Sequence, residues 1–597
     1  MSSLKSKVWS SFEKLEDGKF VRCVLCQKEY KYCNNTTNMK DHLKRKHPDI
    51  IVKYTEDHCA ESMDEAGPSN IPKKRRDSVK EFIGRSLFYE ETSSRKKYLD
   101  KLFALMISLD MEPLRMGEHE GLKNFVHALD PKYVLPDTST LTNKLLPQMY
   151  NEVRSKLLTA LKDCDNLSIT VDTWTTIANE AILAVTGHFM YCNKLISPLL
   201  AALKVEGSQN AGKIATVIHE TLEGMDCRKK VVTIVTDNLQ SMINAAEILK
   251  IKHLPCFAHT LNLVMTDAFK ITEFEILINK CKKIVSFFKH STLASDTLKS
   301  IQKECNKEQL KLVQQVDTRW NITFYMLERI RVIRNELTLA ISKCEKAPPN
   351  LSAEEYKMLE EIEKMLEPFE VATNLVSGEE YPSLSIILPI IKGLSLKLVE
   401  LEKINLNEIS RKLPESLKNS VSKRIKPYEK RTSCIMATLL NPKYKKRGFK
   451  TDDEAENAIR LLQNEYTSFL STPDKIQNSE PPATASSSKK EKVDDLLYFL
   501  NIPDSQYNPR SDAIVDVRQY VEKPNIFKAE DPLKYWQVSQ SKLKELAFKY
   551  LSIPASSTPA ERIFSLAGQI LTERRNRLDS EHFHHLLFIK QNFKLFN

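Results

Sequence analysis

The sequence lacks four features, and each absence narrows what the protein can be. It has no unbroken apolar run of the roughly 20 residues that a bilayer span requires, since its most apolar stretch, LSIILPIIKGLSLKLVEL, is interrupted by Pro389, Lys392 and Gly393. No membrane segment and no membrane partner are expected. The opening stretch MSSLKSKVWS leads into polar sequence without the short apolar core of a secretory signal, which points to a protein that stays inside the cell. A disulfide framework is missing as well, because the twelve cysteines are scattered, most of them singly, through 597 residues. In a reducing compartment most of these should be buried thiols. Nor is the charge extreme: a formal net charge of +11 on a chain that is 28% charged suits a polyanionic partner without requiring one.

What is present is enough apolar sequence, 41% of the chain, for several hydrophobic cores, since single cores stop growing at roughly 250–300 residues. Two stretches have the composition of linkers: residues 54–78, rich in acidic residues, Gly, Pro and Ser, and residues 471–494, STPDKIQNSEPPATASSSKKEKVD. The first ends in PKKRRDS, whose basic cluster at residues 73–76 reads either as a nuclear import signal or as a solvated charge run. From Leu167 the texture becomes short β-branched runs (LSITVDTW, AILAVTGHFMY, KLISPLLAALKV, VVTIVTD) with one helical crossover, NAGKIATVIHETLEGM. That pattern predicts a mixed sheet with a parallel part. After about Leu261 long amphipathic helices dominate, with few strand signals before Asp531. The expected architecture is an α/β domain interrupted by a large all-α insertion.

Near the start, Cys23-x2-Cys26, fifteen residues, then His42-x4-His47 offers two thiolates and two imidazoles at the spacing of a tetrahedral structural zinc site. The helix candidate NTTNMKDHLKRKH carries both histidines, while Lys40, Lys44, Arg45 and Lys46 supply charge for phosphates. Residues 1–50 contain 11 Lys and Arg against 6 Asp and Glu, a net +5. A zinc module with that balance favours double-stranded DNA, its helix entering a major groove.

Farther along, LSITVDTW and VVTIVTDNLQ each end an apolar strand on an aspartate, Asp172 and Asp237. Neighbouring strand ends in an α/β sheet converge on one edge, where two carboxylates can share divalent cations such as Mg²⁺ or Mn²⁺. A two-metal site commonly takes a further carboxylate, and Glu561 in ASSTPAERIFSLAGQ is the candidate. Taken singly, each acid has a plainer use: Asp237 as a helix cap, Glu561 as a first-turn acid on a helix opened by Thr558 and Pro559.

Two resemblances sharpen these expectations. Trp9, Phe12, Cys23, Cys26, His42 and His47 resemble a BED-type zinc finger. The blocks DTW, TDN, PCFAHTLNL, DTRWNITFYML and PAERIFSLAG, in that order, resemble those of the hAT superfamily of DNA transposases. The likeness covers most of the chain, including FVHALDPKYVLPDTSTLT and the stretch from DPLKYW to FIKQN. It implies a zinc finger over residues 1–53, a linker over 54–79, a helical DNA-binding segment over 80–160, and an RNase H-like core beginning at 161–264. That core would be interrupted by a helical insertion over 265–530 and completed, with a dimerisation region, over 531–597. It implies that Glu561 joins Asp172 and Asp237 in a catalytic triad. It also implies that His259 of the Cys256-x2-His259 block positions DNA or a metal-bound water, and that Arg319 and Trp320 support a base flipped from the duplex. Plainer readings are a satisfied core histidine and a buried tryptophan. The segment with Arg574, Arg575 and Arg577 is assigned to domain completion and subunit contact. Two departures from the family pattern stand out: Ala560, where serine is frequent, and TDNLQSMINA, after the second acid.

The function expected from this likeness is a nuclear hAT-type transposase, a homodimer or larger, that cleaves and transfers DNA strands at terminal inverted repeats. The alternative is a domesticated BED-finger regulator that binds promoter sites and shapes transcription or chromatin without transposing.

Overall fold

The computed structural model describes residues 11–15, 20–31, 39, 42, 88–176, 179–205, 207, 209–316, 319–403, 409–472, 508–570 and 579–596. The chain divides into two compact units, Met1–Phe82 and Ile83–Asn597.

In the first unit, strands β1 (Phe12–Lys14), β2 (Phe20–Cys23) and β3 (Glu29–Lys31) form an antiparallel sheet in that order. The turn from β2 to β3 holds both cysteines. Its backbone closes through Cys23 N–H to the Lys28 carbonyl at 2.9 Å and Gln27 N–H to the Cys23 carbonyl at 2.8 Å, with Gln27 in the left-handed region at φ 59°.

The second unit opens with α1 (Ser94–Asp110), capped by the Ser93 side chain, and α2 (Leu146–Asp163). A mixed sheet follows: β4 (Leu167–Thr175), β5 (Ala181–Tyr191), β6 (Lys194–Ile196), β7 (Leu199–Val205), then α3 (Ala211–Gly224), β8 (Val231–Thr236), α4 (Gln240–Leu249) and β9 (His253–Pro255). The strand order is β6-β5-β4-β8-β9, with β7 beside β5. β4 runs antiparallel to β5 and parallel to β8. The run KLISPLLAALKV, read from sequence as one strand, divides at Ser197 and Pro198 into two, both on β5. Cys192 and Asn193, at φ 46° and 62°, make the two-residue hairpin turn from β5 to β6, which requires positive φ at both positions.

Both faces of this sheet are covered, as its continuous apolar strands require. Leu183 and Val185 of β5 pack in one core with Ile214, Ile218, Ala245 and Ala246 of α3 and α4. The alternate residues Ile182 and Ala184 pack in another core with α1 and with two late helices, α8 (Thr558–Ile570) and α9 (Ser580–Asn592). Between β9 and α8 every described element is helical, and these helices build the largest core. The members used below are α5 (Phe257–Phe269), α6 (Trp320–Val332) and α7 (Ala353–Val376). None of the described helices is long and apolar enough to cross a membrane.

The last helix also closes the sheet. Asn592, fully buried, accepts from Leu199 N–H and donates to the Leu199 carbonyl, both at 2.8 Å. His584 Nδ1 accepts from Ala202 N–H at 3.3 Å. These side chains satisfy backbone groups on the edge of β7 that would otherwise be open to pairing with another strand.

Two buried histidines make the sheet sensitive to acid. Burial pushes His188 down to about 3 and His584 down to about 4, in the latter case with the neighbouring His585 charge adding to the effect. In the unfolded chain both protonate near 6.5, so only the unfolded state takes up protons as pH falls from about 6.5 towards 4 and 3. Stability is therefore full above that window and drops within it by up to about 1.4 kcal/mol per pH unit for each group. Urea denaturation of the wild type between pH 7 and 4 should show this slope. H584Q, which keeps an uncharged polar side chain, should flatten it.

Candidate functional site

In the first unit Cys23, Cys26 and His42 offer ligand atoms that all lie within 4.8 Å of one another. Cys26 Sγ is 3.3 Å from His42 Nε2, while the Tyr30 hydroxyl lies 2.8 Å from Nδ1. One ring nitrogen thus meets the Tyr30 hydroxyl as an outer partner while the other faces the Cys26 sulfur, the arrangement expected of a metal-ligating histidine. Phe12 sits edge-on to the imidazole, with ring centroids 5.7 Å apart. Two thiolates and an imidazole suit zinc. His47, the fourth ligand expected from sequence, lies outside the described residues, as do Lys40, Lys44, Arg45 and Lys46.

In the second unit, strand register decides which acids meet. Asp172 pairs with Ala184, and Trp174 with Ile182. Residues directly opposite on antiparallel strands share a face, so Asp172 points to the side covered by α8. On that helix Ala560, Ile563 and Ala567 are buried against the sheet. The small side chain at 560 allows close approach, and Phe564, one turn beyond Glu561, stacks on Trp174 at 5.9 Å. Glu561 arrives beside Asp172 as a result. β8 lies next to β4 in parallel register, Thr170 opposite Val235, so the register carried two residues on brings Asp237 level with Asp172.

Asp172, His259 and Glu561 offer ligand atoms mutually within 4.8 Å. Asp237 is not in that set. Its Oδ1 accepts from Leu239 N–H at 3.1 Å, the turn-forming use of an aspartate ahead of a helix, yet its charge reaches Asp172. Burial raises the Asp172 carboxyl to about 7, with Glu561 and Asp237 adding to the rise and His259 opposing it. Burial also raises Asp237. His259 moves up to about 10: burial disfavours its cation but is outweighed by the Cys256 sulfur and the carboxylates of Glu561 and Asp172. The cluster therefore concentrates negative charge in a partly dehydrated place, with one imidazolium as internal counter-ion. Hard oxygen donors under mutual repulsion suit a divalent cation such as Mg²⁺ or Mn²⁺.

Glu561 is held by cations on both oxygens, His259 Nδ1 at 3.7 Å and Arg319 Nη2 at 3.6 Å. Arg562 instead pairs with Glu379 and donates to the Ser377 carbonyl at 2.8 Å. A cleft of about 210 Å³ opens here, lined by His259, Asn262, Arg319, Trp320, Glu561 and Arg562 among others. Trp320 is only 4% exposed. Its ring stands edge-on to Phe324 and its backbone N–H donates to Asn262 Oδ1 at 2.9 Å, so the indole belongs mainly to the helical core. Arg574, Arg575 and Arg577 lie outside the described residues.

Sequence reasoning missed the part played by Cys256. Its buried sulfur caps α5 by accepting His259 N–H at 3.4 Å, and also accepts Ser557 N–H at 3.2 Å. Phe257 N–H donates to the Ala555 carbonyl at 2.9 Å. The Cys-x2-His block is thus a joint that fastens the segment before α8 to the start of α5. Only the cysteine's place just ahead of a helical run hinted at it.

Four family models match the chain: the BED zinc finger over residues 6–48, the ZBED1 RNase-like domain over 170–259, the ZBED1 RNase-like helical domain over 254–365, and the hAT family C-terminal dimerisation region over 516–593. Among curated proteins, human "Zinc finger BED domain-containing protein 4" is 26% identical across 100% of this chain and 52% of its own length. Human "Zinc finger BED domain-containing protein 6" is 27% identical across 84% and 56%, and a maize protein named "Putative AC transposase" is 25% identical across 83% and 64%. The chain spans about half the length of the human relatives. These matches define the class as a zinc-finger protein with RNase-like domains and a dimerisation region. Within that class the chain is of the hAT type, with an N-terminal BED-type zinc finger that implies structural zinc.

Two substitutions test the two centres. C26S should lower bound zinc from about one per chain to well below that by atomic absorption, because a structural site needs its full ligand set. A560L should cost about 1–3 kcal/mol in urea denaturation, the penalty for overpacking a tight helix-to-sheet contact.

Proposed function

We propose that the chain binds DNA through its finger and cleaves and transfers DNA strands with an RNase H-like core. That core comprises residues 161–264 and the last part of 531–597, interrupted by an all-α insertion over 265–530. The observation that carries the reading is the return of Glu561 to Asp172 across almost four hundred positions, with a His259 ring nitrogen within 4.8 Å of both carboxylates. A helix cap or a dipole acid would not need that meeting.

In this reading Asp172 and Glu561 hold divalent ions, with Asp237 beside them as the further carboxylate. Ions held there would supply Lewis-acid polarisation of a phosphodiester and activation of the attacking hydroxyl. The chain's own residues do the remainder. Burial of Asp172 keeps water from screening the charge cluster. His259 and Arg319 present positive charge beside Glu561, placed to receive backbone phosphate as it enters the cleft. Arg319 rather than the buried Trp320 offers the accessible surface for an extruded base. The C-terminal region serves self-association, and the working place is the nucleus, where the DNA is.

A second reading, a BED-finger regulator that binds promoter DNA without transposing, is favoured by one observation: Asp237 stands outside the ligand set and its oxygen is engaged with Leu239 N–H.

The deciding experiment incubates the full chain with labelled terminal inverted repeats and Mg²⁺ or Mn²⁺. Strand cleavage is expected, with D172N and E561Q losing it by several powers of ten, since metal-borne charge stabilisation amounts to several kcal/mol and each 1.36 kcal/mol is a factor of ten. Both variants should still bind the repeats. Wild-type binding without cleavage would sink the catalytic reading and leave the regulator.

A further inference from the structure

Asp237 sits on a loop, yet the residue after it is tied to the helical region by a part-buried hydrogen bond. Asn238 Nδ2 donates to Thr260 Oγ1 at 3.2 Å. The Thr260 hydroxyl donates to the Cys256 carbonyl at 3.0 Å and lies 2.8 Å from the Tyr428 hydroxyl. The Tyr428 hydroxyl is also 3.0 Å from the Pro255 carbonyl. Thr260 is 4% exposed and Tyr428 2%, and the Tyr428 ring stands edge-on to Phe257 at 5.0 Å.

A hydroxyl has one proton and two lone pairs. The Thr260 hydroxyl thus meets the Cys256 carbonyl, the Asn238 amide, which donates to it, and the Tyr428 hydroxyl, with one of the two hydroxyl protons shared between partners because Tyr428 also donates to the Pro255 carbonyl. A threonine in the first turn of a helix needs only the first of these bonds for local purposes. The other two connect separate elements: the loop after β8, which carries Asp237, and the segment Lys426–Lys430 of the helical region. Thr260 also adjoins His259, so one side chain fixes the loop of one site group and the helix of another.

We infer that Thr260 is a positioning residue that sets where Asp237 stands relative to Asp172 and Glu561, and that Tyr428 makes this setting depend on the helical region. The inference rests on the metal-site reading above and goes beyond it by naming what holds the second aspartate. Thr260→Val keeps the shape but removes the acceptor of the Asn238 amide and the oxygen that contacts Tyr428, whose hydroxyl keeps its bond to the Pro255 carbonyl. Thr260→Ser keeps the acceptor.

The test is Mn²⁺ titration of the zinc-loaded full chain, followed by electron paramagnetic resonance, with thermal unfolding alongside. T260V and N238A should each weaken Mn²⁺ binding by about tenfold or more, the usual cost of losing an outer partner of a metal ligand, while T260S stays near wild type. Thr438→Val is the control: Thr438 is another fully buried threonine, donating to the Ser385 carbonyl at 3.1 Å, and its loss should leave Mn²⁺ affinity intact. Should T260V fail to fold, N238A decides. If D172N and E561Q weaken Mn²⁺ binding but T260V and N238A do not, the positioning role is wrong and the metal site stands. An equal loss in T438V and T260V would also overturn it, since the effect would then be global. If D172N and E561Q bind Mn²⁺ as the wild type does, the metal-site reading itself is wrong and this inference goes with it.

Discussion

Everything at the second-unit site depends on one joint, the buried Cys256 sulfur that accepts backbone N–H groups from His259 and Ser557. The first contact belongs to the start of α5, the second to the residue before α8. A thiol is a weak acceptor, but here it is dry and fixed, and the two donors would be costly to leave unpaired in that setting. The neighbouring contacts Phe257 to Ala555, Ala555 to the Ser383 hydroxyl and Ser556 to the Val376 carbonyl tie the same short segment to α7 as well. The helical region is therefore the bracket from which α8 is hung, and Glu561 inherits its place from that bracket.

The sheet contributes the other half through parity. Because side chains alternate along a strand, a one-residue slip of β4 against β5 would turn Asp172 to the α3 and α4 side, away from Glu561. The apolar residues flanking it prevent the slip: Val171 and Ile169 are committed to one core, and Trp174 to the other. The acid is thus aimed by the hydrophobic pattern of its own strand. Its cost is met locally by the His259 imidazolium and by the Thr173 N–H, which lies 2.8 Å from Oδ1.

Much of this was legible in the sequence. The β-branched runs of LSITVDTW and VVTIVTD gave strands where they were expected, and Cys23, Cys26 and His42 came together at their spacing. Asp172 and Glu561 could be paired only through a family likeness, because no local pattern encodes a contact between positions so far apart. The rest was beyond reach for physical reasons. Trp320 reads as an exposed stacking platform only if burial is ignored, and burial is set by the helices around it. Arg562, written next to Glu561, turned out to serve Glu379, since adjacent residues on a helix face different ways. Cys256, read from sequence only as the partner of His259 in a Cys-x2-His block, proved to be a hydrogen-bond acceptor.

The Asn592 clamp on β7 has a consequence for how the molecule is made. β7 is finished at Val205, but the side chains that close its outer edge come almost four hundred residues later. At synthesis rates of about 5–20 residues per second the nascent chain carries that uncovered strand for roughly 20–80 s. During that interval a half-made polypeptide offers its ladder to any passing extended segment, its own siblings on the same messenger included. Production of this protein is therefore exposed to misassembly at the ribosome in a way that the finished molecule is not.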